Sequence, residues 1–133
     1  MDIDIKKLKT FEDDRGTIFE LLRREHLDRT TFGHLFYVTF KNNKSIRGNH
    51  YHKKSHEFYF VLRGSVSLVL EDVRLGKKNK FELSEKDKSV LRIGPYIAHA
   101  SHSLSADAIL LAYNTLPYKD EKPDTYRHII LKK

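Results

Sequence analysis

The chain has 133 residues, no cysteine and a formal net charge of +7. This length predicts a single domain, residues 1–133, that buries its own core, and the lack of cysteine excludes disulfides and thiolate metal sites. With no apolar signal segment and no run that could span a membrane, we expect a cytoplasmic protein. The lysines cluster in polar turns without interleaved aromatic residues, so we expect no nucleic-acid partner and no membrane. The positive charge favours a small anionic ligand.

The predicted elements are short strands. Residues 3–8 alternate weakly and predict an edge strand, whereas residues 17–22 are apolar enough for a strand and residues 20–26 fit a short helix equally well. Aromatic and β-branched residues predict a strand at residues 33–40. Alternation and turn signals predict further strands at residues 58–62, 66–70, 81–83, 89–93, 97–102, 107–115 and 126–131. Strands of this length and spacing indicate an all-β sandwich or barrel.

Residues 47–64 carry the main functional signal. His50 and His52 are two apart, so their rings leave the same face of an extended strand. Glu57 opens the next predicted strand and can lie beside both rings. Two imidazoles and a carboxylate can bind a metal ion or move protons.

These residues resemble the conserved pattern of the cupin family. The first cupin motif combines His-x-His, a following glutamate and a later glycine, which are matched here by His50, His52, Glu57 and Gly64. The second motif, a turn followed by a histidine, is similar to residues 94–99, with Gly94 where a proline is usual and His99 as the histidine. The resemblance implies a double-stranded β-helix, the jelly-roll barrel of cupins.

Two further segments are similar to cupins that modify deoxysugars. Residues 11–20, which include Arg15 and Glu20, resemble the opening of dTDP-sugar 3,5-epimerases. Residues 47–53, which begin with Arg47, resemble a motif of sugar 3,4-ketoisomerases, and Tyr37 lies at the distance of their tyrosine. Residues 48–52 and 123–126 also resemble the zinc-holding C-terminal cupin domain of capsular-polysaccharide reductases.

The resemblance implies an isomerase or epimerase that removes a proton next to the ketone of a dTDP- or UDP-4-keto-6-deoxyhexose, in the biosynthesis of surface polysaccharides or deoxysugars. His50 would be the base and His52 its partner. Tyr37 or Tyr118 would be the acid. The remaining residues expected to contact the substrate are Arg15, Arg47, Glu20 and His102. Cupins of this type commonly pair through an N-terminal strand, so we expect a homodimer.

Metal binding is the alternative chemistry for the same residues. His50, His52, Glu57 and His99 together form a set that suits one divalent ion, either Zn²⁺, Fe²⁺, Mn²⁺ or Ni²⁺. The related epimerases and ketoisomerases need no cofactor, so the sequence leaves open whether a metal is bound. It also leaves open a protein that is not an enzyme, a small metal-binding cupin that binds a sugar or another ligand.

Overall fold

The computed structural model describes residues 1–27, 32–117 and 123–132. These residues form an almost entirely β structure, with two short 3₁₀ turns at Arg24–His26 and Glu85–Asp87. In chain order, the strands are β1 (Ile3–Lys7), β2 (Lys9–Asp13), β3 (Gly16–Glu20), β4 (His34–Thr39), β5 (Arg47–Tyr51), β6 (Glu57–Arg63), β7 (Ser65–Asp72), β8 (Lys77–Ser84), β9 (Ser89–Ile93), β10 (Ile97–Ser103), β11 (Ile109–Asn114) and β12 (Tyr126–Arg127). The all-β prediction is confirmed.

Ten of these strands form two antiparallel five-stranded sheets. The first sheet has the order β1-β9-β6-β11-β4 and the second has the order β12-β5-β10-β7-β8. From β4 to β7, and again from β9 to β12, successive strands alternate between the two sheets. This alternation is the jelly-roll arrangement that the cupin resemblance implies.

The core lies between the two sheets. Val66, Leu68 and Leu70 alternate along β7 and are almost completely buried, as are Leu91 and Ile93 of β9. Such alternation gives each strand one face toward the core, which we call the inner face, and one outer face. A second apolar cluster covers the outer face of the first sheet and is built around Phe58, Phe60 and Tyr113.

Several predicted elements differ from the observed ones: β2 was not predicted, and the strand predicted at residues 81–83 is the longer β8. The segment that fitted a strand or a helix ends as β3 at Glu20 and continues into the 3₁₀ turn. The last predicted strand, 126–131, is only the two residues of β12, because the amides of Ile130 and Leu131 donate to the side chain of Asn49 instead of a neighbouring strand. A side-chain acceptor therefore replaces the strand ladder at this point.

Strands β2 and β3 form a hairpin that pairs only with itself. Its apolar residues are largely solvent-exposed: Phe11, Ile18 and Phe19. Among the described residues, the structure has no helix that is long and apolar enough to cross a bilayer.

Candidate active site

Three histidines meet on the inner face of the second sheet. His50 on β5 is the direct cross-strand partner of His99 on β10, and their ring centroids are 4.6 Å apart. His52 follows the end of β5, and its ring centroid lies 5.3 Å from that of His50 and 5.3 Å from that of His99. The predicted projection of His50 and His52 from one face is therefore confirmed.

A β-bulge before His50 sets the direction of this ring. The register between β5 and β10 shifts there, and Gly48 and Asn49 have positive φ angles of 96° and 58°. A Cβ atom at Gly48 would lie 2.5 Å from the carbonyl oxygen of His99, so only glycine fits this conformation and this close approach. Gly48 thus positions His50, two residues further along the chain.

Glu57 is the buried carboxylate of the cluster. It begins β6 in the first sheet, and only 3% of its surface is exposed. Its Oε1 accepts hydrogen bonds from His52 Nε2 at 2.7 Å and from the hydroxyl of Tyr59 at 2.9 Å. Burial raises the pKa of Glu57, but the hydrogen bond from His52 and the nearby imidazoles outweigh burial and lower it to about 2. Glu57 is therefore ionised at neutral pH.

His52 is held in a charged state by two oxygen acceptors. Its Nδ1 donates to the backbone carbonyl of Asp124 and its Nε2 donates to Glu57, so both nitrogens need a proton. Burial lowers the pKa of His52, but the hydrogen bond to Glu57 and the negative charge of Glu57 outweigh burial and raise it. The result is a buried imidazolium–carboxylate pair.

His50 and His99 are held neutral. Burial lowers the pKa of His99 to about 4, and the nearby His50 and His52 act in the same direction. Burial also lowers the pKa of His50, and the charge of His52 adds to this effect. His50 remains half-buried, whereas His52 and His99 are buried. His50 is thus the neutral imidazole of the cluster that is still partly accessible.

The segment after Pro123 supports the cluster from the outside. The carboxylate of Asp124 accepts hydrogen bonds from the backbone amides of Lys53, Lys54 and Ser55. The backbone carbonyl of the same aspartate accepts a hydrogen bond from Nδ1 of His52 and so holds the orientation of this ring. No role was predicted for Asp124 from the sequence, although the resemblance of residues 123–126 to a cupin motif pointed to this segment.

The cluster also has the donor set of a metal site. The ligand nitrogens of His50, His52 and His99 all lie within 4.8 Å of one another. Nδ1 of His99 lies 3.3 Å from the carbonyl oxygen of Ile97, and its Nε2 lies 3.3 Å from Oε1 of Glu57; in the neutral tautomer that donates to Ile97, the lone pair of Nε2 is available to a metal. His52 would first have to lose a proton, because both of its nitrogens are engaged as donors. The residues fit a divalent ion on this condition.

Two predicted site residues lie on outer faces and require correction. Tyr37 on β4 is 66% exposed, and its cross-strand partner is Leu111, which packs in the outer apolar cluster. His102 is three residues after His99 on β10, and an odd spacing on a strand places the two side chains on opposite faces. Neither residue reaches the histidines from within this chain.

Two more predicted residues also lie away from the histidines. Arg15 is at the turn of the β2–β3 hairpin, 87% of its side chain is exposed, and it forms an ion pair with Asp13. Glu20 forms an ion pair with Arg23 and lines a cavity of about 600 Å³ that none of the histidines borders. The prediction that these residues contact the substrate is therefore not supported within one chain.

Arg47 is the predicted cation that the structure does place on the inner face. It begins β5 opposite Ser101, and Ser101 shares the face of His99 because the two are two residues apart on β10. Arg47 is exposed. Tyr118 lies outside the described residues.

The inner-face cluster of three histidines and one glutamate in an antiparallel jelly-roll barrel defines a protein of the cupin class. The chain belongs to the polysaccharide biosynthesis C-terminal domain family, which matches residues 11–126. It is 29% identical to the spore coat polysaccharide biosynthesis protein SpsL of Bacillus subtilis (strain 168) in an alignment 133 positions long that covers 94% of this chain and 86% of that protein.

Solved structures with the same fold include two kinds of sugar-nucleotide enzyme. A sugar 3,4-ketoisomerase from Thermoanaerobacterium thermosaccharolyticum, in complex with TDP, matches with a TM-score of 0.81 and 23% identity over 96% of this chain and 88% of that one. A dTDP-4-dehydrorhamnose 3,5-epimerase from Sulfolobus tokodaii matches with a TM-score of 0.77 and 29% identity over 91% of this chain and 74% of that one. The expected resemblance to deoxysugar-modifying cupins is confirmed.

Proposed function

We propose that this protein is a nucleotide-deoxysugar isomerase or epimerase that removes a proton next to the ketone of a dTDP- or UDP-4-keto-6-deoxyhexose. The observation that carries the proposal is a half-buried, partly accessible neutral imidazole, His50, next to the buried His52–Glu57 pair. The 3,5-epimerase that matches at 29% identity and the ketoisomerase with the same fold support this substrate class.

The charges of the cluster suit this reaction. A neutral imidazole accepts a proton from carbon next to a ketone, where the proton is acidified. Negative charge then develops on the ketone oxygen, and the imidazolium of His52 supplies a nearby positive charge that stabilises it. Because Glu57 keeps His52 protonated, His50 accepts the proton while His52 keeps its own.

The described residues supply a base on one side of the site. In ketoisomerisation, a proton leaves C3 and one is added at C4, while the hydroxyl proton of C3 moves to the oxygen of C4; one base carries out both transfers only where the two C–H bonds lie on the same side of the sugar. Epimerisation, and a ketoisomerisation with the opposite outcome at C4, need an acid on the other side; of the two predicted acids, Tyr37 lies on the outer face of its own chain and Tyr118 lies outside the described residues. The histidine cluster alone therefore fits a ketoisomerisation in which the proton returns on the side from which it left.

Deuterium exchange tests the proposal directly. In D₂O, the wild-type protein should introduce deuterium into a dTDP- or UDP-4-keto-6-deoxyhexose, and NMR shows which carbon exchanges and where the carbonyl appears. The variant His50→Gln should lower turnover by about 10²–10⁴-fold, the usual effect of losing a general base. Exchange at the wild-type rate in this variant would exclude His50 as the base.

Metal binding is the second candidate function, favoured by the three convergent histidines. His50, His52 and His99, with Glu57 beside them, would hold Zn²⁺, Fe²⁺, Mn²⁺ or Ni²⁺, and a bound ion would polarise a ketone or hold a ligand. Elemental analysis of protein purified without a nickel column shows whether a metal ion is bound and which one. A preparation that is free of metal and fully active would leave proton transfer by the histidines as the function.

We also propose a homodimer. The exposed apolar residues of the β2–β3 hairpin, and Leu35, Tyr37 and Leu62 on the first sheet, are covered by nothing within the described chain. A second copy of the chain covers such surfaces in a symmetric way, because the same patch is present on both subunits.

A further inference from the structure

Arg127 lies beside His50 on the edge strand of the second sheet. Strand β12 pairs antiparallel with β5, so that Arg127 faces His50 and Tyr126 faces Tyr51. Directly opposed residues in an antiparallel pair project from the same face, with Cβ atoms about 4.5–5.5 Å apart. The side chain of Arg127 therefore starts on the inner face, next to the histidine cluster.

The residues before and after Arg127 in the chain confirm that its side chain projects from the inner face. Tyr126 stacks on Tyr51 with ring centroids 5.6 Å apart, and His128 donates a hydrogen bond to Glu71. Glu71 is on the outer face of β7, because Leu70 before it is buried in the core. Since Tyr126 and His128 both lie on the outer face, the residue between them lies on the inner face.

The backbone that carries Arg127 is fixed on both sides. Before it, Asp124 binds the amides of residues 53–55, and the ammonium of Lys53 lies 4.2 Å from the ring centroid of Tyr126. After it, the side chain of Asn49 makes three hydrogen bonds to the backbone of Ile130 and Leu131. Arg127 is thus held at a defined place on a short strand.

The positive charge of Arg127 has no acidic partner among the ion pairs of the described residues. The nearby carboxylates are engaged elsewhere: Glu57 with His52 and Tyr59, and Glu71 with His128 and Lys78. Arg127 is exposed, and its guanidinium can bind two oxygens of an anion at once.

We propose that Arg127 binds the diphosphate of a nucleotide-linked ligand whose sugar lies against His50. The diphosphate is the charged part of such a ligand and belongs at the solvent-exposed rim, where Arg127 and Arg47 share the inner face. This inference deepens the proposed function and rests on it for the identity of the ligand. Arg127 binds the substrate and takes no part in moving the proton.

Calorimetric titration with dTDP and UDP tests the role of Arg127. The variant Arg127→Gln should weaken binding of the diphosphate that the wild type prefers by about 10- to 100-fold, the range for a lost charge-assisted hydrogen-bonded contact. Arg127→Lys keeps the positive charge but lacks the paired N–H donors of the guanidinium, so its affinity for the diphosphate should fall less than that of Arg127→Gln. The matched control is Lys80→Gln, because Lys80 is a cation of the same sheet that faces outward opposite Val69. It should change affinity less than about twofold.

The deuterium-exchange reaction separates this inference from the proposed function. In Arg127→Gln, KM should rise and kcat should stay near the wild-type value, since the base is intact. Equal affinity for diphosphates in the wild type and in Arg127→Gln, or no binding of dTDP or UDP by the wild type, would overturn the role of Arg127. Wild-type binding that depends on Arg127, with no exchange into any 4-keto sugar nucleotide, would instead overturn the proposed reaction.

Discussion

Within the histidine cluster, three chemically identical rings have different protonation states because their partners differ. His52 has two close oxygen acceptors and is charged, whereas His99 is buried among other imidazoles, with Nδ1 3.3 Å from the carbonyl oxygen of Ile97 and Nε2 3.3 Å from Oε1 of Glu57. His50 is neutral and half-buried. The ionised carboxylate of Glu57 is closer to His52 (2.7 Å) than to His99 (3.3 Å), which favours the charge on His52.

The low pKa of His99 predicts a specific loss of stability in acid. Between pH 6.5 and about 4, the unfolded chain takes up a proton at this residue and the folded protein does not, so unfolding is favoured as pH falls. The contribution of His99 over this window is about 3 kcal/mol, from 1.36 kcal/mol per unit of pKa. Urea unfolding of EDTA-treated protein at several pH values measures it.

The variant His99→Gln serves as the comparison for this prediction. It cannot take up the proton, so its stability should fall less steeply between pH 6.5 and 4. The carboxylate of Glu57 adds a further loss in both proteins below pH 4.5, because its folded pKa is about 2. Equal slopes in the two proteins above pH 4.5 would show that His99 is not held neutral.

The motif residues of the site were predictable from the sequence, and the residues around them were not. His50, His52, Glu57 and His99 come together as the spacing and the cupin resemblance indicated. Tyr37 was assigned by its distance along the chain, which does not specify the face of the strand. Arg127 and Asp124 were missed because their positions depend on pairing and hydrogen bonds with residues more than 70 positions away in the sequence.

At the scale of elements, the segment from Asp124 to Leu131 acts as a clamp on β5. It contacts the loop after His52, pairs with β5 and ends on the side chain of Asn49. A stack of side chains strengthens it on the outer face, where Tyr96, Tyr51 and Tyr126 lie between the cations Arg74 and Lys53. Strand patterns predicted most of the sheets, but this clamp depends on polar contacts that have no periodic pattern.

The variant Asp124→Ala tests the clamp. It leaves the amides of residues 53–55 without their acceptor, so the free energy of unfolding should fall by about 1–2 kcal/mol. Hydrogen exchange of these three amides should become faster. Asp124→Asn keeps one acceptor oxygen, so its free energy of unfolding and its amide exchange rates should lie between those of the alanine variant and the wild type. Unchanged exchange at residues 53–55 in Asp124→Ala would show that the loop is held by other contacts.

At the scale of the whole molecule, the β2–β3 hairpin is the part that the two main sheets do not explain. It pairs with neither sheet, and its residues are almost all exposed. A hairpin on its own is only marginally stable in water, so a partner surface is expected to hold it. The sequence resemblance predicted a homodimer through an N-terminal strand, which fits an exposed hairpin.

The variant Ile18→Lys tests the dimer. Ile18 is 67% exposed and lies opposite Phe11, so a charge there disrupts an apolar contact with a second subunit. Sedimentation equilibrium should show a dimer for the wild type and a shift toward monomer for this variant. Glu82→Lys, at an exposed position of β8 in the second sheet and away from this apolar patch, is the control and should remain dimeric. A monomeric wild type would contradict the proposal.

The alternation of strands between the sheets has a consequence for how the protein acquires activity. The site draws on β5, β10 and β12 of one sheet and β6 of the other, so only a fragment that spans at least residues 47–127 contains all of it. Long-range pairing of this kind is formed late and slowly during folding. Activity should therefore return only with the last phase of refolding, after most secondary structure has formed.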